Sequence, residues 1–211
     1  MNKGISIFSL MMLFVVSHSF AEVKYCLLGG LNSSKYTEIA EITIKSNTSY
    51  HFGGIAEYGI FDKISVESGL LFSIKGAIEE YSDRDLDITT TIKPKYIEVP
   101  INIAYKIDLG TAKLHLFGGP YVGIGIGGKV DVNVSVMSSG RVNSFSRDIK
   151  FGSDLARTDF GLNFGAGIEY KNILLRSQYG LGLSNVSPNS LSTYENRVLG
   201  ISLGYLFGGN K

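Results

Sequence analysis

Tyr96-Ile97-Glu98-Val99-Pro100-Ile101-Asn102-Ile103-Ala104-Tyr105-Lys106-Ile107 is the stretch that decides the fold. Successive side chains of a strand point to opposite faces. Period two therefore puts Ile97, Val99, Ile101, Ile103, Tyr105 and Ile107 on one side, and Tyr96, Glu98, Pro100, Asn102, Ala104 and Lys106 on the other. The same alternation recurs on both sides of this run, at 23–31, 50–60, 64–74, 114–126, 159–170, 173–183 and 198–207. The connections at 61–63, 108–112 and 171–172 are short. Those at 32–49, 75–95, 127–158 and 184–197 are long and polar. Short and long connections in turn predict an all-β chain: an eight-stranded antiparallel up-and-down transmembrane β-barrel, with short periplasmic turns and long extracellular loops.

The chain has 211 residues, which suits one domain. Only 18% are charged and the formal net charge is +1, so nothing points to nucleic acid as a partner. Lys3, the apolar stretch 5–16 and Ser19-Phe20-Ala21 read as a secretory signal peptide over residues 1–21, cut after Ala21. The barrel domain is then 22–211, and the expected location is the cell outer membrane. The one cysteine, Cys26, follows a bulky Tyr25, which argues against lipidation, so a buried strand thiol is expected.

A soluble barrel would turn its apolar face inward. Here the other face holds Gly, Ser and Asn with few charges, which suits a narrow interior better than a solvent face. Tyr25, Tyr58, Tyr105, Tyr170 and Tyr205 fall near one end of the strands, with Tyr50 and Tyr179 near the other. Amphipathic rings at both rims form the girdle of a membrane barrel, whose lipid partner is the outer membrane itself. The last strand ends Leu203-Gly204-Tyr205-Leu206-Phe207, similar to the signal read by the barrel-assembly machinery, with a four-residue tail in addition.

Gly29-Gly30-Leu31-Asn32, Ser68-Gly69-Leu70-Leu71-Phe72-Ser73-Ile74-Lys75-Gly76, Tyr96-Ile97-Glu98-Val99-Pro100, Phe117-Gly118-Gly119-Pro120-Tyr121 and Asp159-Phe160-Gly161-Leu162-Asn163-Phe164-Gly165-Ala166-Gly167, in this order, resemble the PorT-like outer-membrane β-barrel family, often labelled "porin family". The resemblance covers nearly all of the chain after residue 21. It implies the barrel and no defined activity.

Glu57, Glu67 and Glu98 are expected to face the lumen. A three-residue loop at 61–63 pairs Ile60 with Ile64 and sets Glu57 opposite Glu67, a like-charge pair that destabilises unless a cation joins it. Lys106 and Arg176 face inward too. The expectation is a lumen ion network of Glu57, Glu67, Glu98, Lys106 and Arg176, with Arg176 neutralising the Glu57–Glu67 pair. The same register sets His51 opposite Ser73 as a weak rim pair, with no orienting acid identifiable. His115 reads as structural. No metal-ligand spacing appears, and no cofactor is implied. Gly123–Gly128 superficially resembles a phosphate loop but lies in a strand with no helix after it.

The long loops are then the functional surface, meeting an extracellular protein or surface ligand. Val130, Val132, Val134 and Val136 suggest that strands five and six rise past the membrane as a hairpin. The expected function is non-enzymatic, structural or surface-interacting. A narrow porin-like channel and a lipid-modifying enzyme using His51 and Ser73 remain the alternatives.

Overall fold

The computed structural model describes residues 23–37, 43–137, 140–187 and 193–208. The expected signal segment 1–21 and the tail 209–211 lie outside the described residues. Among the described residues ten antiparallel strands are present: β1 Val23–Tyr36, β2 Thr43–Phe61, β3 Ile64–Ile74, β4 Ala77–Ser82, β5 Leu86–Asp108, β6 Ala112–Val136, β7 Arg141–Asp148, β8 Thr158–Tyr170, β9 Ile173–Gly182 and β10 Asn196–Gly208. Eight of them pair in a closed ring, β1-β2-β3-β5-β6-β8-β9-β10, and β1 returns to β10 from Lys24↔Gly208 to Tyr36↔Asn196. The two extra strands, β4 and β7, fall within the expected long loops 75–95 and 127–158.

The polarity of the ring is inside out relative to a soluble protein. Leu27, Leu31, Leu70, Ile101, Ile103, Leu199, Ile201 and Leu203 are exposed on the outer face, while Asn32, Glu67, Glu98, Asn102, His115, Asp159 and Arg176 are buried within. Tyr25, Tyr58, Tyr105, Tyr170 and Tyr205 are exposed at the short-turn end, where Tyr25 stacks on Phe207 at 5.7 Å.

One turn differs from expectation. Phe61 pairs with Ile64 across a two-residue turn, not Ile60 across three, and a β-bulge between Gly59 and Phe61 absorbs Ile60. The extra residue restores the phase, so Glu57 still stands opposite Glu67. At the third short turn Tyr170 pairs with Ile173 across Lys171-Asn172, as the alternation requires.

At the long-loop end the sheet continues beyond the ring. β4 bridges the upper parts of β2 and β5, and β6 pairs with both β5 and β7. A register shift between Lys95 and Tyr96 marks where this extension begins. Past it, the outer row of β5 changes from Ile103, Ile101, Val99 and Ile97 to Lys95, Lys93, Thr91 and Thr89, and that of β6 changes from Val122 and Ile124 to Lys129, Asp131 and Asn133. Polar cross-strand contacts cover this face: Lys45 Nζ to Glu80 at 2.8 Å, Lys93 Nζ to Asp131 at 3.6 Å, Ser144 Oγ to Asn133 at 2.6 Å and Ser146 Oγ to Asp131 at 2.6 Å. One continuous sheet therefore exchanges an apolar outer face for a polar one within a single turn of register.

The opposite face of the extension makes a second core. Tyr36, Ala77, Val130, Ile149, Leu155 and Val186 are buried together, with Ile44, Ile92, Val132, Phe151 and Tyr194 packed against them. The chain enters β4 through Gly76, whose φ of +113° lies in the left-handed region and whose missing Cβ leaves room for the Ile92 carbonyl. Gly76→Ala is expected to lower stability by about 1–3 kcal/mol, seen as a lower urea midpoint in lipid vesicles with the ring still formed.

Candidate functional site: the lumen and its cap

The interior is built from inward positions of all eight ring strands and fills in layers. Nearest the short turns lies a polar vestibule of 390 Å³ whose lining includes Lys24, Glu57, Ser65, Lys106 and Lys113. Deeper in, Lys106 Nζ donates to Glu57 Oε2 at 2.7 Å and to Glu169 Oε2 at 3.0 Å. Beside them Glu67 takes Arg176 at 3.5 Å through Oε2 and His115 Nε2 at 2.9 Å through Oε1. The Arg176 guanidinium lies over the Phe117 ring, 3.6 Å from its centroid, so the charge is held by a carboxylate on one side and a π-face on the other. The same depth also holds an apolar patch of Cys26, Leu28, Ile55, Leu71, Leu174 and Leu206, in which Cys26 is a free buried thiol, as expected for a strand position.

Next come neutral polar pairs. His51 and Ser73 are register partners, yet the His51 ring nitrogen Nε2 meets Ser202 Oγ at 2.6 Å, and Ser73 Oγ accepts from Asn32 Nδ2 at 3.2 Å. The ring directs His51 across to β10 instead of to its neighbour on β3. The expected rim pair is thus divided between two other partners, all of them buried.

The top layer centres on Lys75, which continues the inward row of Ser73. Its ammonium contacts Glu98 and Asp159 Oδ2, the latter at 2.8 Å, and lies 4.2 Å from the Tyr121 ring centroid. Asp159 also accepts from Tyr121 Oη at 3.2 Å, Asn196 Nδ2 at 3.1 Å and Ser184 Oγ at 3.0 Å. Above this layer Phe151 reaches down over Gly125, whose missing side chain provides the space, and meets Tyr96 edge-on at 5.9 Å.

The five expected network residues are all inside the ring, but they do not form one network. Glu57 and Lys106 pair near the vestibule, Glu67 and Arg176 pair beside them, and Glu98 belongs to Lys75 at the other end. Arg176 contacts Glu67, while Glu57 is hydrogen-bonded by Lys106. Lys75, Asp159, Glu169 and His115 complete the clusters, and each lies on an inward row that strict alternation marks.

A model of the family described as outer membrane protein beta-barrel domain matches residues 17–187. The chain belongs to that family. Its place is therefore the outer membrane. No curated protein matches. Among solved structures the chain is similar to the attachment invasion locus protein Ail of Yersinia pestis, at 16% identity over 88% of this chain and 99% of that one, with a TM-score of 0.44. It is also similar to Neisserial surface protein A, at 14% identity over 87% and 96% with a TM-score of 0.41. The N-terminal β-barrel domain of Pseudomonas aeruginosa OprF follows, at 14% identity over 89% and 100% with a TM-score of 0.35.

Breaking a buried ion pair by removing one partner leaves an uncompensated charge. Lys75→Met keeps the apolar stem and removes the cation from Glu98 and Asp159. It is expected to cost about 3–5 kcal/mol in vesicle unfolding, whereas Lys93→Met on the exposed outer face should change the midpoint by under about 1 kcal/mol.

Proposed function

We propose that this chain is a non-enzymatic outer-membrane barrel that works by binding a surface partner through the sheet that rises past its ring. The short turns then face the periplasm and the long connections face the outside, after export and cleavage of the signal segment and insertion by the assembly machinery through β10. We read it as a PorT-like barrel from the resemblance of its sequence.

The observation that carries this reading is β7. Arg141–Asp148 pairs with β6 on one edge, ends the strand order on the other, and is exposed along its whole length. An edge strand offers unpaired N–H and C=O groups to an incoming extended segment. Phe145, 55% exposed, stands opposite Val132 on the face that carries the loop core. Its ring gives a bound strand a side-chain contact in addition to the ladder.

The other readings draw less from the geometry. A channel needs an open axis, and here Glu67, His115, Asn102, Tyr96 and Asp159 are buried across the lumen beneath an apolar cap. A lipid-acting enzyme needs its nucleophile at the outer surface, and His51, Ser73 and Ser202 are all buried inside.

The test is selection from a random-peptide display library against the chain in lipid nanodiscs. A variant with residues 137–148 replaced by a short Gly-Ser turn serves as the counter-target. The expected result is enriched peptides of alternating β-branched and polar residues that bind the intact chain and lose at least about tenfold on the shortened one. No enrichment, or equal binding to both, contradicts the reading.

A further inference from the structure

Just above the ring, the outward lysines of β5 and β6 crowd together. Lys93 and Lys129 are direct cross-strand partners, and Lys95 is the next outward residue of β5 toward the ring. Like charges placed opposite each other on a ladder destabilise it unless a counter-charge joins them. Two carboxylates share this face. Asp131 lies 3.6 Å from Lys93 and also accepts from Ser146, and Asp148 stands opposite Lys129 in register. Three ammonium groups therefore meet two carboxylates. Neither Lys95 nor Lys129 makes an ion pair among the described residues. The adjoining groups bring no further negative charge: Lys45 cancels Glu80, and Arg147 and Lys150 flank Asp154.

A bulge shapes the surface beside these lysines. Lys95 pairs with Gly127 and Tyr96 with Gly125, so Ile126 has no partner across the ladder. A Cβ on Gly127 would stand in open space, and one on Gly128 would lie 2.6 Å from the Lys93 carbonyl. The two glycines thus leave the bulge bare while β6 stays tight against β5. The result is a groove of 530 Å³ whose lining joins Phe72, Ile126 and Ile149 to Lys95, Lys129 and Asp148. It straddles the border between lipid and water. Ile97 and Ile126 are the last apolar residues of the outward rows of β5 and β6, and Phe72 lies 6.1 Å from Tyr50 of the outer aromatic girdle. Such girdles sit at the level of lipid headgroups.

We propose that this groove binds the phosphorylated sugar headgroup of an outer-leaflet glycolipid. The phosphate lies between Lys95 and Lys129, and an acyl chain follows Phe72 and Ile126 into the membrane. An ammonium meets a phosphate oxygen as a point charge, and its apolar stem lies along the surface below. An ionised Asp148 can only accept, so it takes a sugar hydroxyl, which a headgroup of phosphate alone does not offer. The outer leaflet is assigned from the orientation proposed above. The groove itself lies on the outer face and not on the free edge of β7, so it stands apart from the surface partner.

The experiment is native mass spectrometry of the chain folded in a neutral detergent, with lipid A as the probe. Phosphatidylglycerol, dephosphorylated lipid A and glucosamine 1-phosphate serve as comparisons. The expected result is one lipid A bound, at least about tenfold more tightly than any comparison. Joint Lys95→Gln and Lys129→Gln should weaken lipid A by at least about tenfold. Gly127→Leu, which fills the groove and touches no charge, should do the same, while Lys45→Gln binds as the parent does. Heat-dependent gel mobility shows which variants have closed their rings, and Gly127→Leu decides if the lysine variant has not. Equal binding of phosphatidylglycerol or of dephosphorylated lipid A overturns the headgroup, and equal binding of glucosamine 1-phosphate overturns the membrane source. Unchanged lipid A binding in Gly127→Leu overturns the site. Detergent has no sidedness, so these outcomes are independent of the proposed orientation and of any partner at β7.

Discussion

A backbone N–H or C=O turned toward hydrocarbon has nothing to bond with, so a sheet that crosses lipid has to be bonded on both edges of every strand. The pairing of β1 with β10 meets that requirement, and much of the remaining structure follows from it. A closed ring of eight strands has an interior just wide enough for side chains to fill. Its inward positions cannot be apolar throughout, because the outer face already takes the apolar residues and each strand alternates. The lumen therefore becomes a stack of polar groups that have to satisfy one another, and the layers around Lys106, Arg176, His51 and Lys75 are the result.

The extension obeys the same alternation under the opposite solvent rule. Above the shift at Lys95 the outer face meets water, so its row becomes Lys, Thr and Asp, and the inner row becomes the apolar side. That inner row then needs a cover, which Tyr36, Ile149, Leu155 and Val186 supply from the connections around it. The cap over the mouth and the free strand β7 are thus two consequences of a sheet that continues past the membrane. β4 exists for a related reason: Gly76 lets the chain step out of β3 and resume pairing with β5 higher up.

The faces of the ring were legible in the sequence because period two is a local signal, and 96–107 displays it with few interruptions. The opposition of Glu57 and Glu67 was legible as well, although the turn that produces it was not. Nothing local distinguishes a three-residue loop from a two-residue turn with a bulge at Ile60, since both keep the faces in phase. The hydrogen-bond partners were less legible for a non-local reason: strand alternation tells which residues share the lumen but not which of them meet across it, so Lys106 on Glu57 and Glu169 could not be read. Lys75 and Asp159 were visible as continuations of inward rows, yet they sit where strand and loop were divided. The loop core was out of reach altogether, because Tyr36, Val130, Leu155 and Val186 come from three separate connections and meet only in the fold.

The boundary between lipid and water on the outer face of β5 tests the account most directly. The chain contains no tryptophan, so single substitutions report without background. Ile103→Trp and Thr91→Trp place the indole on the same outward row, on either side of Lys95. In vesicles made with lipids brominated on the acyl chains, the account predicts strong quenching of the Ile103→Trp fluorescence and almost none for Thr91→Trp. Equal quenching at the two positions, or quenching of Thr91→Trp alone, would contradict it.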